Sequence, residues 1–391
     1  MISNTLTRVS DLESFKDEMV ATRHHFHENP ELSNFEVKTS AYVAERLEAW
    51  GYDVTRHVGG NGVVARLTVG SGTRSIAIRA DMDALPIEEV SDLPYRSKVS
   101  GVMHACGHDG HTAILLGAAR YLADTKSFNG TLNLIFQPAE EAGVHGGALK
   151  MIADGLFERF PFDAIFGLHN HPGEPEGTIL TRNGGIMAAS DTAVVTVRGR
   201  GGHASRPHLA VDSIMVACQM VVSLQAIVAR NIDPTESAVV TVSQISGGTA
   251  PNIIPNSATF TASIRSFKPE VRSALEMRFR RVVGDIASAF EAEADVSYNQ
   301  GNPVVFNTTA ENEFATRVAI ELVGDGNVKT CPPIPGSEDF AHYLLHKPGA
   351  FLRLGNGVDS KVLHSSKYDF ADGSLTTGAA LWARLAETWL R

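Results

Sequence analysis

The stretch Ser75-Ile-Ala-Ile78-Arg79-Ala-Asp81-Met-Asp83-Ala-Leu-Pro86 passes in twelve residues from an apolar run to charge and then to a turn. A short run of β-branched and small apolar side chains bounded by turn residues reads as a strand buried on both faces, the kind found in parallel sheets covered by helices. The residues just beyond such a strand matter, because open α/β sheets bind ligands in the crevice outside the carboxyl ends of their strands. Three more runs share this grammar. Thr131–Phe136 leads into Gln137-Pro-Ala-Glu140-Glu141, Ala164–Leu168 into His169-Asn-His171-Pro172, and Ala350–Gly355 leads by a loop to His364. A further apolar run at Val63–Thr68 and helical patterns at Leu12–Asn29, Asn34–Trp50 (closed by Gly51), Thr112–Asp124 and Gly146–Asp154 complete the alternation. The chain therefore reads as α/β, a catalytic domain with a mostly parallel sheet flanked by helices, its polar strand ends converging from distant parts of the sequence.

Near Gly184-Gly185 the pattern changes. Strands are expected at Asp191–Arg198, Ala238–Ile245, Ala258–Phe267 and Asp295–Asn299, with helices at Val211–Arg230 and Pro269–Ala294. The order β-α-β-β-α-β is the ferredoxin-like signature, and such a unit can be inserted without disturbing its host. The expected division is a catalytic domain in two parts, residues 1–186 and 301–391, interrupted by an inserted domain at 187–300.

His104-Ala-Cys106-Gly-His108-Asp-Gly-His111 places three imidazoles and a thiol within eight residues. A single histidine is more often a satisfied structural residue, but no structural need calls for Cys and His at this density, and a mixed N/S donor set suits a transition metal. On an extended segment, Cys106 and His108 would project to one side as a bidentate pair. His111 opens an apolar helical run.

Glu140 and Glu141 leave the backbone in different directions. One carboxylate can then ligate metal while the other faces an activated water, take its proton and pass it to a leaving amine. Asp83 can orient a ligand histidine. In the inserted unit, the glycine-bent loop around His203 and His208 offers a donor for a developing oxyanion. Asn252, in Gly247-Gly-Thr-Ala-Pro-Asn252, and Arg265, which can clamp a carboxylate bidentately, are candidate substrate contacts.

Composition narrows the partners. With 34 Lys and Arg against 44 Asp and Glu, the net charge of −10 argues against nucleic acid. No run of about 18 apolar residues stands out, so no membrane span is expected. The polar, helix-patterned Met1–Met19 lacks a signal core. Cys106, Cys218 and Cys331 are few, odd in number and far apart, which fits a reducing cytoplasm better than a disulfide framework.

Together, Phe26-His-Glu-Asn-Pro-Glu31, Arg79–Pro86, His104–His111, Gln137–Glu141, Gly199–His208, Gly247–Asn256, Gly336-Ser-Glu-Asp-Phe340 and Leu363-His-Ser365 resemble the dinuclear metallopeptidase family of aminoacylases and carboxypeptidases. Within it they look most like the amidohydrolase branch of hippurate and indole-acetyl-amino-acid hydrolases. The resemblance implies two divalent ions (zinc, manganese, cobalt or nickel) held by Cys106, His108, Glu141, His169 and His364. It implies Glu140 as general base, Asp83 as the carboxylate behind the ligands, and a thiolate, Cys106, where the wider family has a bridging aspartate. Asp81 stands where the wider family has a histidine ligand and is not counted as one. His104 and His111 become supporting residues. The inserted domain would serve as lid and dimerisation unit, with His203 reaching the partner subunit's site and Asn252 and Arg265 binding substrate. The implied activity is metal-dependent hydrolysis of N-acyl amino acids by a cytoplasmic homodimer or higher homo-oligomer. The alternative is a dipeptidase or carboxypeptidase of the same family, and a third reading is a metal-binding protein without catalysis.

Overall fold

Strand Ser75–Asp81 lies inside an eight-stranded sheet, and a computed structural model describes this and the rest of residues 6–391. Met1–Thr5, part of the N-terminal segment read for a signal core, lie outside the described residues. The chain divides into two units. One comprises the residues up to Gly184 with Phe306–Pro332 and Asp339–Arg391, and the other Gly185–Val305 with Pro333–Glu338.

In the first unit, Ser75–Asp81 runs parallel to Gly130–Gln137 on one side and to Ala164–His171 on the other, and Gly349–Gly355 continues the parallel block. These four strands are almost wholly buried, as continuous apolar runs require. Antiparallel pairs extend one edge through Gly62–Val69 to Asp53–Val58, a strand the hydrophobic pattern did not reveal. Its burial is partial along most of its length, so the run DVTRHV carries no unbroken apolar signature. At the other edge, Ile179–Thr181 pairs antiparallel with Gly349–Gly355 and parallel with Val328–Thr330.

The helix His108–Thr125 is buried along most of its length and packs in the main core with Trp382, Leu385 and Phe370. The expected helix Leu12–Asn29 is instead a 3₁₀ segment, Val9–Phe15, leading into Lys16–Glu28. The expected Asn34–Trp50 starts only at Val37. There the Glu31 carboxylate accepts the N–H groups of Lys38 and Thr39 at 2.9 Å each, satisfying donors the helix leaves unpaired.

The second unit has the β-α-β-β-α-β order, with its four strands antiparallel in the spatial order Ala238–Gly247, Ser257–Ser266, Ala189–Arg198, Glu293–Gln300. Helix Pro269–Ala289 stops before the expected Ala294. Glu291 turns the chain at φ +55°, and the alanine-rich segment after it is recruited into the last strand. Helix Ser213–Asn231 is long and apolar enough to cross a membrane by length and composition alone. Its Val216, Ala217, Met220, Leu224 and Ile227 nevertheless form one face buried in the core of this unit, and Asp212 caps it by accepting from Ile214 and Met215.

Candidate active site

Gly107 decides how the octet folds. It has φ +90°, and a Cβ there would lie 2.7 Å from Asn170 Oδ1 and 2.8 Å from the Tyr368 hydroxyl, so both conformation and space demand glycine. The chain turns at Gly107 and His108 opens the helix. The extended alternation expected of Cys106 and His108 is therefore corrected, since a left-handed turn and a helix start bring their side chains together. Beneath this turn, Asp109 accepts from His27 Nδ1 at 2.8 Å, and Arg23, wholly buried, pairs with Asp369 at 2.8 Å and Asp372 at 2.6 Å. The Phe26-His-Glu motif thus supports the helix start from below.

The strand ends converge on this turn. His169 donates from Nδ1 to the Asn170 carbonyl at 2.9 Å, which leaves the lone pair of Nε2 facing Cys106 Sγ at 3.3 Å. His108 Nδ1 lies 3.3 Å from Asp83 Oδ1, and its Nε2 is buried with no hydrogen bond among the described residues. Asp83 also accepts from Ser33 Oγ at 2.6 Å and from the Glu141 N–H at 3.0 Å. Asp81 is engaged by Arg79 at 2.7 Å and by His111 Nδ1 at 2.6 Å, and His111 Nε2 meets Asn170 Oδ1 at 2.7 Å. Both nitrogens of His111 and the Asp81 carboxylate are thus committed within the protein. Arg79 further reaches Gln137 at 2.9 Å and Asp339 at 3.0 Å, tying two strand ends and Asp339 into one buried network.

Pro138 and Ala139 end the strand Gly130–Gln137, and a 3₁₀ turn, Glu140–His145, begins at once. His364 arrives on the loop after Gly349–Gly355, held there by its own N–H donating to the Ala105 carbonyl at 2.8 Å. Its Nε2 lies 3.3 Å from Glu141 Oε1, which is buried.

These donors group into triads whose ligand atoms all lie within 4.8 Å of one another. Cys106, His108 and His169 form one, Cys106, Glu141 and His364 a second, and His108, Glu140 and Glu141 a third. Cys106 belongs to two of them. His108 Nε2, buried and without a hydrogen bond among the described residues, points into a mixed N/S/O donor set, and these residues fit divalent metal. The local electrostatics agree. Burial alone would raise Asp81, but Arg79, His108 and His111 outweigh it and hold the carboxylate well below its ordinary range. Burial also opposes ionisation of Asp83, yet His108 and Ser33 keep it low. Burial pushes the Cys106 thiol up to about 12 and, aided by Arg353, holds His169 low and neutral, as a ligand imidazole must be. The Glu141 carboxylate raises His364. His104, by contrast, is buried with neither ring nitrogen hydrogen-bonded among the described residues, and burial drops it to about 4.

His203, Asn252 and Arg265 all lie in the second unit. A two-stranded ladder pairs His203 with Ile253, next to Asn252, and His203 Nδ1 accepts from the Ser205 hydroxyl at 2.8 Å. Arg265 sits on the strand Ser257–Ser266, half-buried, donating to the Ile264 carbonyl at 3.0 Å. Ser33, Asn170 and Tyr368 were not anticipated. Their long-range contacts reveal them; Asn170 lies within the His169–Pro172 segment, but nothing local marks its role.

Residues 77–388 match the peptidase family M20/M25/M40. The chain is 43% identical to a hippurate hydrolase from Campylobacter jejuni, over 99% of this chain and all of that one. It is 39% identical to thermostable carboxypeptidase 2 from Saccharolobus solfataricus, over 96% of each. The crystal structure of a Bacillus subtilis protein described as a dinuclear metal binding peptidase of family M20 superposes with a TM-score of 0.85 at 34% identity, covering 97% of this chain and 99% of that one. The chain therefore belongs to the peptidase family M20/M25/M40, as one of its metal-dependent amidohydrolases.

Proposed function

We propose that the protein cleaves N-acyl amino acids of the hippurate type to a carboxylic acid and a free amino acid. The observation that carries this reading is the sharing of Cys106 between two adjoining donor triads with Glu140 beside them. Cys106, His108, Glu141, His169 and His364 would hold two divalent ions. When bound, such ions polarise the scissile carbonyl and acidify water. Glu140 takes the proton of the attacking water and returns it to the departing amine. Asp83 keeps the His108 imidazole turned so that Nε2 faces the site. The second unit would pair two copies into a homodimer, with His203 reaching the partner subunit's site to donate to the oxyanion and Asn252 and Arg265 binding substrate. The three cysteines, none of them in a disulfide, suit a cytoplasmic setting.

The carboxypeptidase reading is favoured by the Saccharolobus relative. Assays of the metal-loaded protein on benzoyl-glycine, N-acetyl amino acids and free-amine dipeptides separate the two. Preference for the acylated substrates by about tenfold or more in kcat/KM is expected, and the reverse preference would overturn the proposal. Replacing Glu140→Gln should keep the metal and cut turnover by about 10²–10⁴-fold, so near-wild-type turnover would remove it as the base.

A further inference from the structure

Glu36 is fully buried, and no Lys or Arg pairs with it among the described residues. Burying a carboxylate without a cation is costly unless hydrogen bonds compensate. Here they do. Its Oε1 accepts the Asn34 N–H and the Ala139 N–H, each at 2.8 Å, and its Oε2 accepts the Asn61 amide at 3.1 Å. The contact to Ala139 spans the loop after the first helix and the end of the strand Gly130–Gln137. Nothing near Glu36 in sequence requires it.

Ala139 immediately precedes Glu140 and has φ +52°, ψ +44°, a left-handed conformation that a residue with a Cβ avoids. Both of its backbone groups are tied, the N–H to Glu36 and the carbonyl to the Gly147 N–H at 2.9 Å. On the other side of Glu140, the Glu141 N–H donates to Asp83 at 3.0 Å. Asp83 in turn accepts from Ser33, in the same loop as Glu36. The backbone on either side of Glu140 is therefore anchored to a buried carboxylate, and one short loop, Ser33–Glu36, serves both anchors.

We propose that Glu36 is a positioning residue that locks the left-handed Ala139 turn and so sets the direction in which the Glu140 carboxylate leaves the backbone. The inference rests on Glu140 being the general base. Misplacement of a reacting group by about 1 Å can cost about 10²-fold in rate, so a lock on the backbone beside a base has a kinetic signature.

The test uses the metal-loaded full chain with benzoyl-glycine, or whichever acyl amino acid it turns over. Glu36→Ala should lower kcat by about tenfold or more with KM within about twofold and metal content unchanged. Glu36→Gln, whose amide oxygen still accepts from Ala139, should recover most of that loss. Asn61→Ala, which removes only the Oε2 contact, should stay near wild type. If Glu36→Ala fails to fold, Glu36→Asp, too short to reach Ala139, takes its place with the same expectation. The decisive measurement is the double variant with Glu140→Gln, because a residue acting only through Glu140 adds nothing once that carboxylate is gone. Additive losses, loss of metal in Glu36→Ala, or a Glu36→Gln as impaired as Glu36→Ala would each overturn the proposal. Failure of the underlying reading looks different, as Glu140→Gln would then be near wild type by itself.

Discussion

Asp83 Oδ1 lies 3.3 Å from His108 Nδ1, while its second oxygen accepts the Glu141 N–H at 3.0 Å, so one buried carboxylate holds the imidazole of one proposed ligand and the backbone of another. Removing the charge leaves His108 free to rotate and lowers its basicity. Asp83→Asn should weaken metal binding by about 10–100-fold, measured by titration against a chelator of known affinity. Unchanged affinity would mean that His108 is oriented by something else.

Gly107→Ala should be among the most damaging conservative changes in the chain. The left-handed φ costs about 1–2 kcal/mol and the contacts of a new Cβ with Asn170 and Tyr368 about 1–3 kcal/mol more. Chemical denaturation reads the first effect, and metal content of the purified variant reads the displaced Cys106 and His108. A variant with wild-type stability and full metal would show that the turn can be made another way.

The parallel block was legible because each of its strands is an unbroken apolar run that ends in charge, and burial on both faces leaves no other place for such a run. Asp53–Val58 escaped because an edge strand need not be apolar on both faces. The clustering of Cys106, His108 and His169 was legible for a related reason: a thiol and imidazoles at strand ends and a glycine turn are a donor set that suits a metal. The residues that aim those donors were not. Glu36, Asn170 and Tyr368 act through contacts with residues a hundred or more positions away, or through backbone groups, and neither leaves a local pattern. Helix Ser213–Asn231 shows the converse, since its hydropathy is high enough for a bilayer while its spacing marks a one-sided core face.

His27 gives the fold a pH dependence of known sign. Burial alone would lower its pKa, but hydrogen bonds to Asp109 and Glu89 outweigh that and raise it to about 9. A folded value above the unfolded value of about 6.5 means the stabilisation is fully present below about pH 6.5 and is lost as pH rises through about 9. The shift corresponds to stability on the order of 3 kcal/mol. Denaturant unfolding of the metal-free protein and of His27→Asn should show the widest gap near about pH 6 and a much smaller one near about pH 10. A gap that does not change with pH would mean that His27 stays neutral in the fold.

Cys106 carries the sharpest prediction about metal loading. Burial comes first among the causes that push its thiol up to about 12, the Glu141 and Asp81 carboxylates add to it, and only His108 opposes. The metal-free protein therefore holds a protonated thiol at about pH 8, yet it is the thiolate that ligates. Metal uptake must expel that proton. Calorimetric titration with a divalent ion in two buffers of different protonation enthalpy should report about one proton more for the wild type than for Cys106→Ser at about pH 8. Because Cys106 belongs to two donor triads, the serine variant should also lose affinity at both positions and not at one alone. Equal proton release in the two proteins would show that Cys106 is no thiolate ligand, and loss confined to a single ion would show that it is a ligand but not a bridge.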